Sequence, residues 1–249
     1  MKLFLISSAI SVAILASFAC YYSSNKKTDT NVPSSEGFAV VELFTSEGCS
    51  SCPPADEAVA KILKEYTSNV YVLGYHVDYW NNYGWKDIFS NADYSRRQKI
   101  YAKIFQLPSI YTPQIVVNGK EQFVGSDKIK LHNSINNGLK QAGAATLNIT
   151  AGTQGGKITV SYKTNATGNL NIALIQSQAE NKIGAGENHG ATLHHVNIVR
   201  DIKTIPATAT GDVILNLPPG LSAKDCSVIA FTQNENDLKI TSAAKTGIE

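Results

Sequence analysis

The sequence predicts an α/β domain followed by an all-β, sandwich-like domain. Three observations carry that expectation. A Cys-x-x-Cys pair, Cys49-Ser50-Ser51-Cys52, stands between an apolar run over 38–44 and a helical run over 55–66. From residue 38 to about 141, apolar strand-like runs alternate with amphipathic helices. From Thr146 onward the chain turns to short alternating runs separated by Gly, Asn and Pro. The boundary falls near Gly143, giving residues 38–143 and 144–249 as the two domains.

The chain opens on Met1-Lys2, an apolar stretch to Ala19, and Cys20. A basic start, a short apolar core and small residues before a cut site read as a secretory signal peptide over 1–19. The stretch is short for a spanning helix. Ala16-Ser17-Phe18-Ala19-Cys20 resembles a bacterial lipoprotein signal, which implies that Cys20 becomes a lipidated first residue held at a membrane. Ordinary cleavage near Ala19 and an uncleaved anchor are the alternatives. Residues 20–37 are rich in Ser, Asn, Lys, Thr, Asp and Pro with little to bury, the composition of a flexible tether. These features place the protein in the cell envelope, outside the cytoplasm, where disulfides persist.

Residues 38–45 read as a strand, 54–66 as a helix and 70–75 as a second, buried strand. A polar and aromatic loop over 76–89 leads to a helix over 93–105, with Tyr94, Ile100, Tyr101, Ile104 and Phe105 on its inward face. Residues 114–118 and 122–125 are short strands joined at Asn118-Gly119, the strongest short hairpin signal. Residues 128–141 close as a helix. Strand–helix–strand units give parallel pairing. The order β-α-β-α-β-β-α, with a Cys-x-x-Cys at the first strand–helix joint, is that of a thioredoxin-like domain. Pro113 stands where that fold places a cis proline facing the cysteines; a trans proline starting a strand is the alternative. In the second part, runs over 146–151, 157–164, 169–178, 194–203, 212–217, 226–233 and 238–244 suggest a β-sandwich.

The stretch from Val41 to Asp56, together with His76-Val77-Asp78-Tyr79-Trp80, Gly84-Trp85-Lys86-Asp87 and Tyr111-Thr112-Pro113-Gln114, closely resembles a family of uncharacterised secreted bacterial proteins with a thioredoxin-like domain. The resemblance covers 38–141 and, more weakly, 186–200. It implies a fold and a site around the cysteines, and no substrate. The sequence departs from ordinary thioredoxins in carrying Gly48 before the first cysteine and Ser50-Ser51 between the pair. Leu43 occupies the position of their buried aspartate, and Glu42, one place off, points to the other face of the strand.

A helix start places unpaired N–H groups and positive dipole beside Cys49, favouring thiolate, the reactive form. Cys49, at the exposed helix end, is therefore the expected nucleophile, and Cys52, a turn in, the resolving thiol of a redox disulfide. An inert disulfide is the bland alternative. A metal site is disfavoured, because one Cys pair supplies only two ligands. His76 and Asp78 follow the second strand at the same sheet edge. Either moves a proton or orients a thiolate, or both are solvated or bonded to the loop. Tyr79, Trp80, Tyr83 and Trp85 line a substrate groove or pack the loop down. Thr112 and Trp80 stand as supporting residues beside Pro113. In the second part, Glu187-Asn188-His189 either belong to an ordinary polar loop or reach back to the site. Neighbouring His194 and His195 point to opposite faces of a strand. Cys226, in an apolar run, reads as a small buried hydrophobe.

The resulting expectation is a cell-envelope thiol–disulfide oxidoreductase. It would act on protein thiols or disulfides, be recharged by a separate redox partner, and need no cofactor. One rival is a copper-binding or copper-delivery protein using the same cysteines, since thiolates suit cuprous copper; the single methionine, Met1, leaves with the signal. Another is a non-catalytic envelope lipoprotein. The net charge of +2, with no basic stripe carrying interleaved aromatics, argues against nucleic acid.

Overall fold

The structure, a computed structural model, describes residues 36–249. The expected signal peptide, Cys20 and the tether through residue 35 lie outside the described residues. Glu36 and Gly37, read as the tether's end, are tied down. Gly37 pairs with Ala142 in an antiparallel bridge, and Glu36 accepts a hydrogen bond from Asn69 Nδ2 at 2.7 Å.

The first half runs β1 (Ala39–Thr45), α1 (Pro53–Glu65), β2 (Val70–His76), α2 (Ala92–Ile104), β3 (Gln114–Val117), β4 (Glu121–Val124) and α3 (Lys128–Leu139). Local chemistry sets these boundaries. Pro53 opens α1, where the missing N–H was unpaired anyway. Asn91 and Asp127 cap α2 and α3 by accepting the Asp93 and Lys130 N–H groups. Asn118 and Gly119 both take positive φ, 51° and 65°, and turn β3 into β4. The second half adds β5 (Leu147–Gln154), β6 (Lys157–Thr164), β7 (Asn169–Lys182), β8 (Thr192–Pro206), β9 (Thr210–Asn216), β10 (Cys226–Gln233) and β11 (Ile240–Gly247).

The expected pair of domains does not form. Eight strands make one mixed sheet in the order β11-β10-β7-β8-β2-β1-β3-β4, and β5-β6-β9 make a smaller second sheet. In place of a thioredoxin-like α/β domain followed by a separate sandwich, the described residues form one mostly β unit with three α-helices. The physical reason lies in β2. Its sequence, VYVLGYH, is almost wholly buried. In a free-standing first half it would be an edge strand with its backbone polar groups open. β8 covers that edge in parallel, through Gly74 and Ile198. At Gly74 the strands lie close enough that a Cβ would be in van der Waals contact with the Val196 carbonyl oxygen, at 3.4 Å. Asn197 Nδ2 donates to the Val72 carbonyl at 3.0 Å, and the Tyr94 hydroxyl to the Val199 carbonyl at 2.9 Å.

Side-chain alternation then distributes three apolar clusters. Val41, Leu43, Val72 and Ile115 face α1 and α3. Val40, Phe44, Tyr75 and Val116 face the other way, toward Tyr94 and Tyr101 of α2, and that cluster runs on through Ile175, Val199, Ile229 and Phe231. Leu170, Ile172, Leu174 and Val228 pack beneath the small sheet. Strand β10 and the first half of β7, residues 170–175, are thus buried on both faces, which explains their apolar runs; the rest of β7 is polar and mostly exposed.

Candidate active site

The segment between β1 and α1 carries the cysteines. Cys49 N–H donates to the Ser46 carbonyl and Cys52 N–H to the Cys49 carbonyl, both at 3.2 Å. This turn brings the two Cα atoms to 5.4 Å, and the sulfurs form a disulfide. Cys52 is the N-cap of α1, and the Ala55 and Asp56 N–H groups donate to its carbonyl. Exposure differs from expectation: Cys49 and Cys52 are both 0 % exposed, while Ser50 and Ser51 between them are exposed.

A buried titratable cluster surrounds the pair. Glu47, two residues before Cys49, is fully buried. It accepts from Trp85 Nε1 at 2.8 Å and from Asn181 Nδ2 at 3.0 Å. Asp56, one turn past Cys52, accepts from the Thr45 hydroxyl at 3.0 Å. His195 of β8 lies between the two carboxylates, with Nε2 3.4 Å from Glu47 and Nδ1 3.8 Å from Asp56. Among the described residues neither ring nitrogen has a hydrogen bond of good geometry, so these are charge contacts at close range. Burial is the largest influence on the imidazole and pulls its pKa down; Asp56 and Glu47 reverse that and raise it to about 9. The His195 ring packs edge-on against His76, centroids 4.7 Å apart. His76 Nδ1 in turn bonds Asp87 Oδ2 at 2.7 Å. Burial pushes the Asp87 carboxyl up, but His76 and the N–H groups of Glu47 and Phe89 hold it below its ordinary value.

A strap closes over the disulfide. Residues 183–191 join β7 to β8. Asn188 Nδ2 donates to the carbonyls of Glu47, at 2.8 Å, and Cys49, at 3.1 Å. Glu187 accepts from the Ser50 N–H at 3.1 Å, and the Ser50 side chain together with that N–H lowers its carboxyl pKa. Trp85 seats the strap: its ring lies 3.1 Å from where a Cβ on Gly184 would stand, and its own Cβ lies 3.1 Å from where one on Gly186 would, with Gly186 at φ +75°. On the other side, Trp80 packs its Cβ against Gly48 and donates from Nε1 to the Thr112 hydroxyl at 2.8 Å. The Thr112–Pro113 bond is cis. Pro113 and Ala55 both border the space beside Gly125, which places the proline next to the first turn of α1.

The sequence-derived residues therefore separate into two groups. Cys49, Cys52, Thr112, Pro113, Trp80 and His76 converge. Asp78 does not: its carboxylate is bonded by the Ser95 hydroxyl and ties the loop to α2. Of the loop aromatics, Trp80 and Trp85 pack inward and Tyr83 stays exposed. His194 and His195 do face opposite sides, His194 exposed toward Glu180 and His195 inward. Cys226 is a buried free thiol. Glu47, Asp56, Asp87 and His195 were not expected at the site; the signal for the three acids is that they lie in the stretches 41–56 and 84–87, beside the cysteines and the tryptophan loop. Among the described residues no group of three or more His, Cys, Asp or Glu side chains is arranged to hold a metal ion.

Comparison with known proteins bears on this geometry. The family described as "Protein of unknown function (DUF1223)" matches residues 40–233, most of the chain. The chain belongs to that family. The matched span of this DUF1223 protein begins in β1 and ends with β10, so it takes in the cysteines, the strap and His195. Protein AGR_C_4864 from Agrobacterium tumefaciens is similar at 26% identity and a TM-score of 0.63, over 83% of this chain and 92% of that one. HBP35 of Porphyromonas gingivalis has a similar fold at 20% identity and a TM-score of 0.59, over 87% and 77% of the two chains. No curated protein matches the chain.

Proposed function

We propose that this protein is an extracytoplasmic thiol–disulfide exchange protein whose working pair is Cys49 and Cys52. The observation that carries the reading is a disulfide at a helix start, flanked by Pro113 and backed by a buried imidazole between two carboxylates. A purely structural staple has no need of buried charge, which is costly to keep from water. A disulfide is also the form that persists outside the cytoplasm. The lipoprotein-like N-terminus, with Cys20, supports attachment to the envelope membrane.

In the oxidised form, a substrate thiolate attacks Cys49 Sγ. The Cys49–Cys52 bond breaks, a substrate–Cys49 bond forms, and Cys52 leaves as a thiolate. Cys52 is buried, so its anion is unfavourable there until protonated. The His195 cation, bounded by Asp56 one turn along the same helix, supplies the proton. A second substrate thiolate then displaces Cys49. The substrate gains a disulfide and the protein becomes a dithiol, two electrons richer. A separate disulfide-bearing protein reoxidises it; with a reducing partner the same steps run backward.

The test is a dithiol peptide mixed with the oxidised full-length protein. The expected result is peptide disulfide formed one-for-one with protein dithiol. Cys52→Ser should hold the peptide as a mixed disulfide on Cys49, seen by intact mass and released by reductant. If wild type leaves the peptide reduced and Cys52→Ser forms no adduct beyond that of the double Cys49→Ser/Cys52→Ser variant, the reading is wrong.

A further inference from the structure

The α2 face of the sheet holds a feature unrelated to the cysteines. A cavity of about 470 Å³ lies between α2 and the strands contributed by the second half. Its floor is the Arg97 guanidinium, stacked 5.3 Å from the rings of both Tyr101 and Phe231. Arg97 donates from Nε and Nη2 to the fully buried Glu42, which also accepts from the Tyr101 hydroxyl. Glu42 thereby cancels the arginine's charge. Among the described residues, Arg97 Nη1 has no hydrogen-bond partner, and the side chain keeps 16% exposure. Asn171, nearly fully buried, has one amide N–H contact, a long 3.5 Å approach to Gln233; its oxygen is already taken by Thr204. At the mouth, Arg96 pairs with Asp93. The site therefore offers hydrogen-bond donors without net charge.

The rest of the lining is apolar, with Ile100, Ile202 and Leu238. Ile100 was expected on the inward face of its helix; it is 54% exposed and stands at this cavity. We infer that the cavity binds an uncharged carbonyl compound of amide type with an apolar body. The carbonyl oxygen accepts from Arg97 Nη1 and Asn171 Nδ2, and the body lies against Ile100, Ile202 and Leu238. A carboxylate or phosphate fits less well, because Glu42 already neutralises the guanidinium and would repel a second anion.

The experiment is a titration of the 15N-labelled full-length protein, followed by NMR. The probes are N-acetyl-leucine N-methylamide and its charged counterpart, N-acetyl-leucine. The amide should cause saturable shifts confined to α2, β7, β8, β10 and the loop carrying Leu238, and the carboxylate should bind about tenfold more weakly. Asn169→Trp, which fills the cavity from a side chain without a hydrogen-bond partner among the described residues, should weaken the amide about tenfold while leaving the melting temperature unchanged. Absence of saturable shifts up to about 10 mM amide overturns the proposal. So does carboxylate binding as tight as the amide, or full affinity in Asn169→Trp. None of these outcomes touches the cysteine chemistry, which the peptide assay tests separately.

Discussion

His195 has a pKa raised from 6.5 to about 9. A raised folded-state pKa gives stability that is complete below the unfolded value and lost as pH climbs through the folded one. His195 therefore stabilises the protein below pH 6.5, and that contribution fades toward pH 9. The shift corresponds to about 3 kcal/mol at most. Denaturant titrations of wild type and His195→Gln should show the variant clearly weaker at pH 6, with the gap closing by pH 10. A gap independent of pH would mean that the imidazole is neutral in the fold. The sequence indicated that His194 and His195 face opposite ways, because strand geometry alone decides it. Which of the two enters the buried cluster was not legible. That depends on Glu47 and Asp56, which approach His195 only after the sheet closes.

At the scale of elements, the strap is bonded directly to the loop that carries the disulfide. Asn188 makes two hydrogen bonds to the cysteine loop. Each contributes about 0.5–1.5 kcal/mol net. Asn188→Ala should therefore speed reduction of the Cys49–Cys52 disulfide by a small-molecule thiol by roughly tenfold, measured by alkylation and mass. An unchanged rate would show that the strap does not gate the sulfurs. Individual elements were well marked in the sequence. Pro53, Asn91, Asp127 and Asn118-Gly119 each signal their boundary by short-range chemistry. The inward face of α2 was only partly legible. Tyr94 and Tyr101 are buried as read, but Ile100 and Ile104 are exposed, because the charged stripe holding Arg97 turns inward to meet Glu42.

For the whole molecule, the two halves depend on one another. Ile175, Val199, Ile229 and Phe231 from the second half complete the cluster under α2. Burial of a large apolar side chain contributes about 1.5–3 kcal/mol. Four of them approach the whole stability of a typical domain, about 5–15 kcal/mol. A fragment ending at residue 143 should therefore lack a cooperative thermal transition and should aggregate through the bare edge of β2. A sharp melt for that fragment would show the first half to be self-sufficient. The sequence suggested independence because each half carries a complete local pattern, and the β2–β8 pairing leaves no periodic trace. The same long reach sets an order of events as the chain emerges. Asn188 is 141 residues from Glu47, and contacts that distant form late. Until β8 arrives, the cysteine loop has neither roof nor buried cation. Newly made chains thus pass through a period in which Cys49 and Cys52 are open to any oxidant in their surroundings. Pulse-chase alkylation should find the disulfide already formed before the protein becomes resistant to protease.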